Sequence, residues 1–132
     1  MKIFIPIKNL SQRVPNKNFR LFGRKPLWFH TVSKLHEHEV FIDTDSPLLL
    51  EQVKQEYKLP NLHAYRRRDA LCGHKVSVVN LIQDFVQSFD INEPVCQIHV
   101  TSPFLKTSTL KKAFQKMGDY DSVVSCTEHK TR

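Results

Sequence analysis

Hydrophobic residues along the chain alternate between short β-rich runs and stretches with helical spacing. Residues 2–7 read as a first buried strand, followed by a polar loop to about Asn18. Pro26 suits the first turn of a helix on which Trp28, Thr31, Val32 and Leu35 share a face. Residues 40–43 predict a second strand, leading through Thr44-Asp45 to Ser46-Pro47, an N-cap followed by proline at the first helical position. Asp45 reads equally well as an acidic residue near a ligand site or as a cap of the helix that follows. Leu50, Val53 and Tyr57 then form a stripe. Residues 62–65 are a weaker third strand. Ser77 can cap a well-marked helix on which Val78, Leu81, Ile82, Phe85, Val86 and Phe89 line one side. Residues 95–100 predict a further strand, with Pro103 ending its loop. Thr107 or Ser108 can cap a helix that turns Leu110, Ala113, Phe114 and Met117 inward, and residues 122–126 read as a last strand.

Strands separated by helices imply a parallel sheet with right-handed crossovers and helices on both faces. The reading is therefore α/β, with residues 1–132 as a single domain. In such sheets ligands bind beyond the carboxyl ends of the strands. The loops that begin near Lys8, Asp45 and Thr101 are the ones expected to meet a ligand.

Composition narrows the partner. A formal charge of +7 calls for something anionic. The cations concentrate in two places, Lys8, Arg13, Lys17, Arg20, Arg24 and Lys25 in one stretch and Arg66-Arg67-Arg68 in another. No apolar run reaches the roughly 20 residues that span a bilayer, and the N-terminal apolar run is too short for a signal peptide. Cys72, Cys96 and Cys126 are widely spaced with no CxxC pair, which favours reduced thiols and a cytoplasmic location. His36 and His38 lie two apart and would not share a helical face, so no metal site is read from the histidines.

The loop after the first strand carries the chemistry. It runs Lys8-Asn9-Leu10-Ser11-Gln12-Arg13-Val14-Pro15-Asn16-Lys17-Asn18, with three cations, a hydroxyl and several amides. Such a loop can neutralise a triphosphate and a departing pyrophosphate. It is not a Walker loop, because GxxxxGK[ST] is absent, and GxGxxG is absent too. Ser11, Arg13, Pro15, Lys17 and Asn18 match in spacing the first loop of the acylneuraminate cytidylyltransferases, the CMP-sialic acid synthetases, which the chain resembles. Thr44-Asp45-Ser46, then Arg67, Leu71 and Ser77, then Thr101-Ser102-Pro103, and finally Asp121-Ser122-Val123-Val124-Ser125 match later motifs in the same order. Departures occur at Lys8 (usually arginine), Leu10 (small), Gln12 (lysine), His74 (aspartate) and His99-Val100 (Gln-Pro).

The resemblance implies a three-layer Rossmann-like nucleotidyltransferase fold. It implies transfer of CMP from CTP to a sialic-acid-like 2-keto-3-deoxy acid sugar, with release of pyrophosphate. Lys8, Arg13 and Lys17 would be catalytic. Lys8, Asn9, Ser11, Gln12, Arg13, Lys17, Asn18, Arg67 and Ser77 would bind nucleotide, Arg67 and the backbone around Val76–Val78 reading the cytosine edge. His99, Thr101 and Ser102 would sit at the sugar. Magnesium is the implied cofactor. Its acidic ligands, much of the sugar pocket and a homodimer arm belong to a later part of such proteins, so the chain is expected to be their N-terminal part. Deoxy-octulosonic, legionaminic or pseudaminic acid are alternative sugars. A non-catalytic basic domain that binds nucleotides or nucleic acid through Arg66–Arg68 is the reading from another class, disfavoured because no RRM, KH or helix-turn-helix signature and no stacking aromatic pattern is present.

Overall fold

Ile3, Phe4, Ile5 and Ile7 make β1, Lys2–Ile7, a strand with no exposed hydrophobic face, so it must lie inside a sheet covered on both sides. The computed structural model describes residues 1–9 and 16–130. Within them a short hairpin, β2 (Leu21–Phe22) and β3 (Lys25–Pro26), precedes helix α1, Leu27–Val32. The hairpin was not legible in the sequence, and its turn holds Gly23 at φ 71°, where a side chain would be strained. The chain continues through β4 (Val40–Thr44), α2 (Pro47–Gln55), β5 (Leu62–Arg66), α3 (Val78–Ser88), β6 (Val95–Gln97) and α4 (Thr107–Met117).

The main sheet has the order β5-β4-β1-β6, and every pairing in it is parallel. Ile98 donates its N–H to the Phe4 carbonyl at 3.0 Å, extending the β1–β6 pairing one residue further. From β1 the chain steps outward to β4 and β5, then returns across β1 to β6. Right-handed crossovers require the connecting helix to change face at that reversal. It does. Ile3, Ile5, Ile7, Val40 and Ile42 pack with residues of α1 and α2 on one face, whereas Phe4 and Phe41 meet Leu81 and Phe85 of α3 on the other. The two-residue period of the strands thus supplies both cores. Phe85 stacks on Phe4 with centroids 5.0 Å apart and tilts against Phe41 at the same distance.

Local signals hold for most elements. Ser46 accepts from the Leu49 N–H at 3.2 Å, followed by Pro47, and Ser77 accepts from the Asn80 N–H. Asp45 does not cap α2. At α4 neither proposed cap operates: Thr107 is already helical, and Lys106 occupies the cap position without a side-chain bond. Of the expected inward stripe of α4, Leu110 is buried, Ala113 and Met117 are half-buried and Phe114 is exposed. The last strand is not formed. Residues 122–126 are exposed and pair with no strand among the described residues; β-branched propensity alone does not hold a strand that lacks a partner. Among the described residues no helix is long and apolar enough to cross a membrane.

Phe85 bridges α3 to two strands, so Phe85→Ala is expected to cost about 3–5 kcal/mol. Urea denaturation reads this as a lower midpoint. Phe114→Ala, on the exposed side of α4, should change stability by less than about 0.5 kcal/mol.

Candidate functional site

The reversal of strand order falls between β1 and β6, and in open parallel sheets the crevice at that point, beyond the carboxyl ends, is where ligands bind. Two segments flank it. Lys8 and Asn9 leave β1, and His99, Thr101 and Ser102 follow β6. Lys8 and Asn9 on one side and His99, Thr101 and Ser102 on the other therefore lie at the same edge of the sheet.

On the β1 side, Lys8 is exposed. Asn9 donates its N–H to Asp45 Oδ1 at 2.7 Å, which ties this loop to the end of β4. That contact is the role Asp45 plays in place of the capping role that Ser46 takes. Ser11, Gln12 and Arg13 lie outside the described residues. The chain re-enters at Asn16, whose left-handed backbone (φ 53°, ψ 29°) starts a single 3-10 turn over Lys17–Phe19. Asparagine tolerates that conformation better than most residues. Lys17 is half-buried. Asn18 is buried, and its Oδ1 has no hydrogen-bond partner among the described residues. Lys8 and Lys17 make no ion pair among the described residues, whereas Lys25 lies over the Phe29 ring at 5.0 Å.

On the β6 side, His99 and Gln97 approach through Nε2 atoms at 3.1 Å, and the Ser102 N–H donates to the His99 carbonyl at 3.3 Å. Thr101 and Ser102 are exposed on this turn. Helix α1 supports it from beneath. Thr31 Oγ1 donates to the Val100 carbonyl at 3.3 Å, and Lys34 Nζ donates to the carbonyls of Pro103 and of Leu105, the latter at 2.8 Å. Partial burial lowers the Lys34 pKa. Neither contact was foreseen, because the two segments are about seventy residues apart in sequence.

The arginine run divides sharply. Arg66 is exposed and pairs with Asp69 at 3.1 Å; Arg68 reaches Asp84 of α3 at 2.6 Å. Arg67 turns inward, its side chain 1% exposed, and Nε donates to Asp43 Oδ1. Its Nη2 contacts the Asp43 carbonyl at 3.4 Å, and its backbone N–H donates to the Thr44 carbonyl at 2.8 Å. The guanidinium expected to read a base edge is therefore engaged with a buried carboxylate. Burial raises the Asp43 pKa, opposed by the hydrogen bond and charge of Arg67. Tyr65 stands opposite Asp43 in register, and burial followed by the Asp43 charge pushes its phenol up. Asp43 Oδ2 and the Tyr65 hydroxyl are both buried, with no hydrogen-bond partner among the described residues. Asp43, Tyr65 and Asp84 were missed in the sequence. The available signal was a carboxylate within each of two otherwise apolar stripes, those of β4 and α3. Ser77 is exposed and caps α3.

A family model described as "Cytidylyltransferase" matches residues 3–131, nearly the whole chain. The chain belongs to the cytidylyltransferase family. It is 27% identical to an N-acylneuraminate cytidylyltransferase of Streptococcus agalactiae, over 94% of this chain and 31% of that protein. A pseudaminic acid cytidylyltransferase of Campylobacter jejuni is 26% identical over 85% of the chain, and covers half of its own length. Among solved structures, a CMP:2-keto-3-deoxy-manno-octonic acid synthetase complexed with CTP superposes with a TM-score of 0.69. It shares 22% identity, over 90% of this chain and 47% of that one. That likeness establishes the fold, a Rossmann-like nucleotidyltransferase with a mainly parallel central sheet. This cytidylyltransferase chain spans about a third to a half of the length of these relatives.

Removing one member of a buried ion pair strands the other, so Arg67→Met is expected to destabilise the domain by about 3–5 kcal/mol at neutral pH. Without its cation, Asp43 should titrate still higher in the fold. A carboxyl whose folded pKa is raised contributes most below its unfolded value and loses that contribution as pH rises. The deficit of Arg67→Met should therefore shrink as pH falls through the acidic range, measured by urea denaturation at several pH values. Asp43→Leu/Arg67→Met together should recover most of the loss and its pH dependence.

Proposed function

We propose that the chain is the nucleotide-binding part of an enzyme that transfers CMP from CTP to a sialic-acid-like 2-keto-3-deoxy sugar. The family match over residues 3–131 carries this reading. The placement of Lys8 and of the Thr101-Ser102 turn on the two sides of the strand-order reversal supports it. In the reaction, the anomeric hydroxyl oxygen bonds to the α-phosphorus of CTP. The bond from that phosphorus to the oxygen bridging to the β-phosphate breaks, pyrophosphate leaves, and the hydroxyl proton passes to water or a base. Little covalent work falls to the protein in such a transfer, so charge and alignment contribute most.

Lys8 and Lys17, with Arg13 between them in sequence, supply cations for the triphosphate and leaving group. Asn9, Ser11, Gln12 and Asn18 complete the cradle, while Ser77 and the backbone beside it face the base. His99, Thr101 and Ser102 take the sugar side. Magnesium is expected for this chemistry. The described residues hold no cluster of three His, Cys, Asp or Glu that would bind it, and one Asp45 oxygen is committed to Asn9. The donors present do not make the site, and no step here runs through the ion. A homodimer and a cytoplasmic location accompany this reading. Pseudaminic, legionaminic and deoxy-octulosonic acids are the competing sugars, since relatives are named for the first two and a structural neighbour for the third. A nucleic-acid surface built on Arg66–Arg68 is disfavoured, because each of those arginines already meets a carboxylate.

Calorimetric titration with CTP, and with ATP as control, tests the reading. Saturable binding of CTP alone is expected. Lys17→Ala should weaken it about tenfold or more, the loss of one charge-assisted contact. A folded chain with no preference for CTP would sink the proposal.

A further inference from the structure

Strand β6 and the residues just after it alternate between two environments. Ile98 and Val100 are buried in the core shared with α1 and α2, and Cys96 packs against it, whereas Val95 packs with the Phe4–Phe85 cluster. The two-residue period of an extended chain therefore turns Gln97 and His99 to the side of Val95. There Gln97 is half-buried and His99 exposed, with Gln97 Nε2 at 3.1 Å from His99 Nε2. A side-chain amide nitrogen donates and never accepts, so the imidazole nitrogen is the acceptor. A neutral imidazole that accepts at Nε2 carries its proton on Nδ1.

We propose that Gln97 is a positioning residue that sets His99 as a donor, through Nδ1–H, to an oxygen of the acid sugar. This deepens the CMP-transfer reading above and rests on it. The backbone around the ring is already held: the Ser102 N–H donates to the His99 carbonyl, and Thr31 Oγ1 donates to the Val100 carbonyl. Gln97 adds the one contact that acts on the ring itself. It also engages the Nε2 lone pair, so His99 does not serve as a base through that atom. The carboxylate and hydroxyl oxygens of an acid sugar are acceptors that match the remaining N–H. One hydrogen bond of ordinary net strength biases a two-state equilibrium about fivefold, enough to decide which tautomer predominates.

The test reads the imidazole nitrogens of the isotope-labelled whole chain by NMR at mildly alkaline pH, with His99→Gln assigning the signal. The ratio of Nδ1–H to Nε2–H at His99 should be about fivefold higher in the parent than in Gln97→Met, which keeps the length and loses the donor. Gln97→Glu offers an acceptor instead and should push the ratio below that of Gln97→Met. Adding N-acetylneuraminic acid or 2-keto-3-deoxy-manno-octonic acid to the CTP-loaded parent should shift the His99 Nδ1 signal. Half-saturation should need about threefold more sugar or above in Gln97→Met, a larger change than in its CTP affinity. A parent ratio within about twofold of Gln97→Met overturns the inference. So does a CTP-loaded parent in which neither sugar moves the Nδ1 signal. A parent that binds no CTP fails earlier, at the CMP-transfer reading, and takes the sugar role of His99 with it.

Discussion

Strand β1 sets the terms for everything around it. Its side chains are buried on both faces, so its backbone N–H and carbonyl groups must be satisfied by strands on both edges. With β4 on one side and β6 on the other, the chain has to reverse its direction of travel across β1. That reversal opens a crevice at the carboxyl ends, and the residue that follows β1 is Lys8. The position of Lys8 and Asn9 beside the crevice is thus a consequence of hydrophobic burial and hydrogen-bond satisfaction. Lys8 needs no special device to bring it there.

The carboxyl edge is then stiffened by polar contacts that cross long stretches of sequence. Asp45 fixes the loop after β1, Lys34 and Thr31 fix the turn after β6, and the Asp43–Arg67 pair fixes the segment after β5. These differ in kind. Asp45 and Lys34 are only partly buried, so water moderates what they contribute. Asp43 and Arg67 have lost water altogether, and the raised Asp43 pKa shows that desolvation outweighs the attraction of the cation. A core of apolar residues would avoid that penalty. The arrangement makes sense if orientation at this edge matters more than stability.

The fold was largely legible because its signals are local and repeated. The apolar run of β1, the Ser46-Pro47 helix start and the stripe on α3 each follow from spacing within a few residues. Where the signal was propensity without a partner, as at residues 122–126, the strand did not form. Within the α4 stripe only Phe114 departs, for a related reason: helical spacing marks a face, but it does not supply a surface for every residue of that face to bury against. The site was legible only as far as its residues sit next to strand ends. Lys8, Thr101 and Ser102 could be expected near the carboxyl edge in that way. Asp43, Tyr65 and Asp84 could not, since their roles arise from pairing between elements that sequence spacing does not relate.

Charge was the least legible property, and it changes the meaning of composition most. Three adjacent arginines suggest a phosphate-binding patch, yet alternation along the chain turns the middle one inward and leaves its neighbours facing Asp69 and Asp84. An exposed pair such as Arg66–Asp69 is worth at most about 1 kcal/mol, whereas Arg68 meets a buried Asp84 carboxylate; both pairs cancel much of the local field. Lys8 and Lys17 carry no such partner among the described residues. The same holds among the described residues for Arg20, Arg24 and Lys25, so the basic stretch that follows β1 keeps more of its charge than the arginine run after β5. A count of basic residues points to an anion; the distribution of the acids shows which arginines are already engaged.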